Sequence, residues 1–235
     1  MKTLLPILFL ISLLGCASAP AVHEYSHKPY EPEGEIPEKV IIKKPFEQAW
    51  NHLIKELATN FFSVRQIDKA SRFVSIDASQ DAGGIGRGND WWLKYATCGT
   101  SKRHISYDNK EYGYVYDPIS TNPYQVAFKN HYRYWDEITP HISPRINMNI
   151  YMSPIDENTT EMSVNARYSF TKSGSVKRYS YRQNGNYLFE ENTSLGAVTV
   201  AFTSQKPGIF PADVTPPIYC YSKGELEKSV IELVK

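Results

Sequence analysis

The amino-acid sequence predicts an α+β protein in which an antiparallel sheet of six or more strands packs against two helices, one N-terminal and one C-terminal. Apolar residues recur at helical spacing in two separate segments, near residues 46–57 and 226–234. Several segments between them alternate apolar and polar residues, as half-buried strands do. The chain is 41% hydrophobic with 13 glycines and 15 prolines, which is typical of a folded protein rather than a disordered one.

The first part of the chain predicts the element order β-α-β-β. The apolar run 40–42 predicts a strand. Pro45 predicts the start of a helix, because the N–H that proline lacks would be unbonded in a first turn anyway. Residues 61–67 and 72–78 predict two strands, with residues 68–71 as the turn between them. The apolar stripe of the predicted helix consists of Phe46, Ala49, Trp50, Leu53, Ile54 and Leu57.

The middle of the chain predicts further strands separated by irregular segments. Residues 91–98 predict a strand, and the tyrosines at 107 and 112–116 predict a second sheet region. Residues 117–144 contain four prolines, so they predict irregular chain apart from a strand near 125–128. The proline-rich segment 205–217 predicts a loop.

A hairpin and a final helix complete the predicted elements. Residues 145–152 and 161–170 alternate well and flank the turn residues Asp156-Glu157-Asn158, which predicts a β-hairpin. Residues 195–202 predict one more strand. The pattern Ser222-x-x-Glu225 predicts a capping box that opens the last helix.

The first sixteen residues are typical of an exported, lipid-modified chain. The apolar run from Leu4 to Leu14 follows the basic Lys2, and it is too short to span a bilayer, which takes about twenty residues. The run ends in Leu13-Leu14-Gly15-Cys16, which resembles the lipobox of bacterial lipoproteins. The resemblance implies cleavage before Cys16 and lipid on its sulfur and amine. An ordinary secretory signal cleaved near Ala17-Ser18-Ala19 is the alternative.

This interpretation divides the chain into three parts: a signal peptide (1–15), a lipidated Cys16 with a proline-rich tether (16–38), and a single α+β domain (39–235). The tether is predicted because prolines and glutamates recur there among few apolar residues. The resemblance also implies a location. Because Ala17 rather than aspartate follows Cys16, the periplasmic face of the outer membrane is expected in a Gram-negative cell.

A second resemblance covers the N-terminal part of the domain. Phe46-Glu47-Gln48-Ala49-Trp50, the turn Asp68-Lys69-Ala70-Ser71 and the strand ending near Ile76 resemble helix-and-sheet modules of BamC-type lipoproteins of the outer-membrane barrel assembly machinery. The resemblance implies a helix followed by two paired strands, and it does not extend to the rest of the chain.

Charge and cysteine content indicate the compartment more than the partner. The full chain has 26 basic and 25 acidic side chains, and removing Lys2 with the signal peptide leaves them balanced. Nucleic acid is therefore not expected as a partner. Cys98 and Cys220 form an even pair in an exported protein, which predicts a disulfide. Two free buried thiols, or part of a metal site, are the alternatives.

The richest polar and aromatic cluster suggests a ligand site. His131, Tyr134, Trp135, Asp136 and Glu137 lie close together in sequence. They are consistent with a ligand pocket or with interfacial aromatic residues at a sheet edge.

Other patterns favour no specific chemistry. The glycine-rich residues 83–88 lack the Lys-Ser or Lys-Thr of a phosphate loop. Asp77, Ser79 and Asp81 lack the later residues of a calcium loop. No zinc-protease or nucleophile-elbow motif occurs, so we expect no catalytic residue, metal or cofactor.

These observations predict a lipid-anchored cell-envelope protein that acts as a non-enzymatic binding or assembly factor. Its expected partners are the membrane, through Cys16, and another envelope protein. Two alternatives remain open. One is a cell-wall-acting enzyme that uses Asp136, Glu137 or His131. The other is a lipoprotein that binds a small ligand or a glycan at the aromatic cluster.

Overall fold

The computed structural model describes residues 22–59, 63–78, 90–107, 110–127, 134–181, 187–211 and 216–235. Helices α1 (Phe46–Thr59) and α2 (Glu225–Glu232) accompany thirteen strands in this part of the chain, and the predicted α+β class is confirmed. The residues predicted as a signal peptide, 1–15, and Cys16 lie outside the described residues. None of the described helices is long and apolar enough to cross a bilayer.

The strands are β1 (Val22–Lys28), β2 (Lys39–Ile42), β3 (Ser63–Asp68), β4 (Phe73–Ala78), β5 (Ala96–Thr97), β6 (Thr100–Tyr107), β7 (Lys110–Tyr116), β8 (Tyr124–Ala127), β9 (Tyr134–Asp156), β10 (Thr159–Tyr181), β11 (Tyr187–Thr203), β12 (Gly208–Phe210) and β13 (Ile218–Ser222).

The largest sheet is built around the long β9–β10 hairpin. Its order is β11-β10-β9-β4-β3. Strand β2 pairs with β10 next to the hairpin turn, while β8 pairs with β9 at the opposite end. Each hairpin strand has 23 residues, and a straight strand of that length would extend about 75 Å. Strands of roughly 3–10 residues are usual, so this hairpin is far longer than a compact core requires.

The hairpin confirms the clearest strand prediction and extends it. The turn consists of Glu157 and Asn158, and Asp156 Oδ1 accepts a hydrogen bond from the Asn158 N–H at 2.8 Å. Both strands continue well beyond the predicted residues 145–152 and 161–170.

The core lies on one side of this sheet. Alternate side chains of β9 and β10 point toward the two helices, and the residues between them point the other way. The buried set from the sheet and the helices forms one apolar cluster. It includes Ile146, Met148, Ile150, Met162, Val164, Tyr168 and Phe170 of the hairpin, Trp50, Leu53 and Leu57 of α1, and Leu226, Val230 and Ile231 of α2.

Two smaller sheets pack beside the large one. Their strand orders are β1-β6-β7 and β12-β13-β5. Cys98 follows β5 and Cys220 lies in β13, and their sulfur atoms are 1.95 Å apart in a disulfide. Both cysteines are fully buried. The bond therefore joins two chain segments that are distant in sequence inside the core.

Residues 134–144 form part of β9, whereas the sequence predicted irregular chain there. The prediction relied on Pro140 and Pro144, which cannot donate main-chain hydrogen bonds. Both lie between the stretches of β9 that pair with β8 and with β4, where β9 has a described neighbour only in β10. Their ring nitrogens face the same side because the two prolines are four positions apart, which is an even offset along a strand. The ladder to β10 continues across both, as it can when these nitrogens face the unpaired side.

The predicted strand over residues 91–98 is also wrong. Residues Trp91–Lys94 form a 3-10 helix, and only β5 follows as strand. Trp91 and Trp92 are both buried, whereas neighbouring residues of a strand would point to opposite faces. The Trp92 indole donates to the main-chain oxygen of Ile119 at 2.7 Å, which satisfies its buried N–H.

The predicted capping box at Ser222 and Glu225 does not form. Ser222 belongs to β13, and Gly224, with a φ of 74°, is the residue before α2. Glycine adopts this left-handed conformation without the strain that a side chain would add. The Ser222 hydroxyl instead takes part in a buried network with Glu227. Nearby, the predicted loop 205–217 contains the short strand β12.

Part of the segment predicted as a tether, residues 16–38, is strand in the structure. All of β1, which begins at Val22, pairs with β6. The Arg103 guanidinium lies 4.7 Å from the ring centre of Tyr25 on β1. Residues 22–28 thus form a strand, although the polar composition of the segment did not predict one.

Candidate functional site: the exposed face of the large sheet

The side of the large sheet opposite the helices is open to solvent. We call this surface the exposed face and define it by alternate residues of β9 and β10. Both helices belong to the buried cluster on the other side. The exposed face consists of His141, Ser143, Arg145, Asn147, Asn149 and Tyr151 on β9, and of Ser163, Asn165, Arg167, Ser169, Thr171 and Ser173 on β10.

The chemistry of the exposed face is dominated by hydrogen-bonding groups. Arg167 lies across the ladder from Asn147, and Asn149 lies opposite Asn165. The Asn147 amide donates to Asp77 of β4, which also pairs with Arg65. Amides and hydroxyls in such rows can both donate and accept hydrogen bonds. This arrangement suits recognition of a polar surface.

The predicted aromatic cluster lies at the far end of this sheet and does not form an acid–base pair. The rings of Trp135 and Tyr179 stack with centres 4.0 Å apart. The Tyr179 hydroxyl donates to Glu137 Oε2 at 3.3 Å. Arg178 donates to both oxygens of Asp136, at 2.9 and 3.0 Å. Because Asp136 and Glu137 are adjacent in a strand, their carboxylates point to opposite faces.

The other two residues of the predicted cluster are His131 and Tyr134. Tyr134 is the first residue of β9, and His131 lies outside the described residues. Where the structure describes the cluster, its groups bond to one another across β9 and β10. Both interpretations of the sequence, a ligand pocket and interfacial aromatic residues at a sheet edge, stay predictions.

A second group of polar side chains surrounds a buried carboxylate, that of Glu227. Glu227 of α2 has no exposed surface. It accepts hydrogen bonds from the hydroxyls of Ser204 at 2.6 Å, Tyr168 at 3.1 Å and Ser222 at 3.2 Å. Burial and the nearby Glu227 raise the pKa of Tyr168 above its usual value. The network joins α2 to β10, to β13 and to Ser204, the residue after β11.

A groove of about 650 Å³ lies next to this network. It runs between residues 32–38 and 203–207, and Ser204 and Ser222 lie in its wall. Both hydroxyls donate to Glu227, and they accept from the main-chain N–H groups of Ala166 and Gly224 respectively. Their bonding capacity is used within the fold, so we assign the network a structural role.

The third polar cluster is a lysine surrounded by aromatic rings. Lys172 is 5% exposed, and its ammonium donates to the main-chain oxygen of Pro118 at 3.0 Å. It lies 5.2–5.9 Å from the ring centres of Tyr116, Tyr124 and Phe210, within cation–π range. This contact connects the large sheet with strands of both smaller sheets.

Burial, reinforced by the charge of Arg103 and opposed by that of Asp117, lowers the pKa of Lys172 to about 8. In the unfolded chain the pKa would be 10.5. Between these values only the unfolded state holds the proton, so the free energy of unfolding should rise with pH. The full rise is on the order of 3 kcal/mol. Burial raises the pKa of Tyr124 to about 12, so stability should fall again above pH 10.

We expect urea unfolding of the wild type to show this rise from pH 7.5 to 10, whereas Lys172→Met should have a flatter profile. The exposed Lys228 provides the matched control, because Lys228→Met should keep the wild-type profile. Parallel profiles for the wild type and Lys172→Met would contradict this interpretation of the lysine.

The structure offers no support for a metal site in the part of the chain that it describes. No group of three potential ligands from histidine, cysteine, aspartate and glutamate comes together there. Of the calcium-like pattern, Asp77 is engaged with Arg65 and Asn147. Ser79, Asp81 and the glycine-rich residues 83–88 lie outside the described residues.

Comparison with known proteins adds no family to these observations. The chain matches no protein-family model, no curated protein and no solved structure.

The exposed face is a surface that the sequence did not predict. The alternating apolar residues predict the hairpin, but the sequence alone assigns no role to the polar residues between them. The signal was nevertheless available, because Asn147, Asn149 and Asn165 alternate with the core residues. Asparagine is depleted in strands, so its repetition on one face is not explained by a preference for strand structure.

Proposed function

We propose that the protein is a lipid-anchored cell-envelope component that acts as a non-enzymatic binding or assembly factor. The observation that carries the proposal is the exposed face, which presents polar groups on a rigid sheet. From His141 to Tyr151 it extends about 33 Å along β9. That length suits the contact area of a protein partner, roughly 800 Å² on each side in a stable complex.

The buried titratable groups support binding over catalysis. Asp136 is paired with Arg178, and Glu227 is surrounded by three hydroxyls. Lys172 is bonded to a main-chain oxygen and enclosed by rings. Hydrogen bonds and ion pairs of this kind stabilise a fold, whereas a catalytic group must be able to reach a substrate.

Two further observations support the envelope location. The lipobox-like Leu13-Leu14-Gly15-Cys16 suits lipid attachment. The disulfide between Cys98 and Cys220 suits an oxidising compartment such as the periplasm. The partner would then be another protein of the envelope.

Site-specific photo-crosslinking in intact cells tests this proposal. A photoreactive amino acid at Asn149 or Asn165, both exposed, should yield a reproducible crosslinked protein. The same amino acid at Ser229, exposed on the helix side, is the control and should not yield that product. Absence of a product at both exposed-face positions, with normal expression and membrane association, would contradict a role for this face.

A further inference from the structure

We propose that the end of the β1–β6–β7 sheet at which β1 begins lies against a lipid surface. The proposal rests on the proposed lipid attachment at Cys16. It adds that the domain is held next to the bilayer in a set orientation, rather than moving on a long tether.

The first argument is covalent reach. Only residues 17–21 lie between Cys16 and Val22, the first residue of β1. A fully extended chain covers at most about 3.6 Å per residue, so Val22 lies within about 22 Å of Cys16. Lipid on Cys16 would hold that residue at the level of the headgroups. The start of β1 is therefore close to the headgroups whatever conformation residues 17–21 adopt.

The second argument is that β1 is firmly attached to the domain. All seven of its residues pair with β6. The Ser101 hydroxyl is 3.3 Å from the Tyr25 hydroxyl and 3.1 Å from His27 Nδ1. The Arg103 guanidinium also lies over the Tyr25 ring. Releasing β1 to lengthen the tether would break these contacts together with the ladder, so the short reach persists in the folded protein.

The side chains that the structure describes at this end suit neutral headgroups. Val22 pairs with Ser106, which pairs in turn with Glu111 of β7. His104 Nε2 lies 3.8 Å from the Glu111 carboxylate. Tyr112, two residues before Tyr114 on the same face of β7, is half-buried. Tyrosine is enriched at membrane–water interfaces because its ring is apolar and its hydroxyl is wet. We therefore expect contact with zwitterionic lipid and no requirement for anionic lipid.

The rest of the fold then extends away from this point. The β1–β6–β7 sheet packs against β8, where the rings of Tyr116 (β7) and Tyr124 (β8) stack with centres 4.5 Å apart. Strand β8 pairs with β9 as far as Ile138. From Ile138 to Glu157 at the hairpin turn, β9 extends about 60 Å if straight. The hairpin turn is thus far from the start of β1, and the two points can be distinguished by distance from the bilayer.

Energy transfer from the protein to labelled lipid tests the proposal. Glu24→Cys and Glu157→Cys place a donor dye at two exposed positions. Cys98 and Cys220 are bonded to each other and Cys16 would carry lipid, so the introduced cysteine is the free thiol. The full-length lipidated protein is reconstituted into phosphatidylcholine vesicles that contain a headgroup acceptor. We expect several-fold more efficient transfer from position 24 than from position 157.

A lengthened tether is the matched control. Inserting about twelve glycine and serine residues between Ala21 and Val22 adds a flexible segment with a root-mean-square length of about 20 Å. Transfer from position 24 should then fall toward that from position 157. Equal transfer from both positions before insertion, in protein that floats with the vesicles, would overturn this inference and leave the lipid attachment intact. Failure of the protein to float with vesicles would instead overturn the proposed attachment.

Discussion

Replacing both Cys98 and Cys220 with alanine is expected to lower the free energy of unfolding by about 4 kcal/mol. The disulfide connects residues separated by 122 positions, so it removes much conformational freedom from the unfolded chain. Both cysteines are fully buried in the core between β5 and β13. Urea unfolding followed by tryptophan fluorescence should show a correspondingly lower midpoint for the double variant.

Reduction of the wild-type protein provides the matching control. A reductant should lower the midpoint of the wild type toward that of the double variant, and it should leave the double variant unchanged. If the oxidised wild type and the double variant unfold at the same urea concentration, the bond does not contribute to stability as argued.

Replacing Glu227 with alanine is expected to cost about 3 kcal/mol of unfolding free energy. The substitution removes the acceptor for three buried hydroxyls, those of Tyr168, Ser204 and Ser222. A buried polar group left without its partner costs about 1–3 kcal/mol, and the lost side chain leaves a cavity as well. Thermal and urea unfolding of the purified variant measure the effect.

Two variants separate this network from general effects of mutating α2. Glu225→Ala removes an exposed carboxylate that pairs with Lys228, and it should cost less than about 0.5 kcal/mol. Tyr168→Phe removes one donor but keeps the ring, and it should cost about 1 kcal/mol. If Glu227→Ala were no more destabilising than Glu225→Ala, the buried network would have no energetic role.

Much of the fold was predictable because its main elements carry strong periodic signals. In α1, residues such as Trp50, Leu53 and Leu57 repeat at the helical period, and each packs in the core. The β9–β10 hairpin alternates cleanly because only one of its faces is buried. The turn at Asp68 was likewise recognisable, since its carboxylate accepts the Ser71 N–H at 3.0 Å.

The errors occurred where tertiary contacts outweigh local pattern. Trp91 and Trp92 resemble a β-strand pair, but both are buried because a 3-10 turn directs them inward. The Ser222 hydroxyl serves a carboxylate five residues later rather than a helix start. Strand β1 depends on pairing with β6, about 75 residues away in sequence, and a polar segment gives no local sign of such a partner.

The candidate site was less predictable than the fold. The sequence drew attention to Trp135, Asp136 and Glu137, which are close along the chain but point to alternate sides of β9. The exposed face brings together residues of β9 and β10 that are up to 32 positions apart, such as Ser173 and His141. A face of this kind becomes visible only when the register of the hairpin is known.

Pro140 and Pro144 have a further consequence for the behaviour of the protein among other chains. The stretch of β9 between its contacts with β8 and β4 has a neighbour on one side only among the described residues. An uncovered strand edge can recruit a strand from another molecule and begin aggregation. With prolines at two positions, this stretch cannot supply the row of donors that such a strand would need. The residues that obscured the strand in the sequence would thus protect the finished sheet from pairing with a second copy.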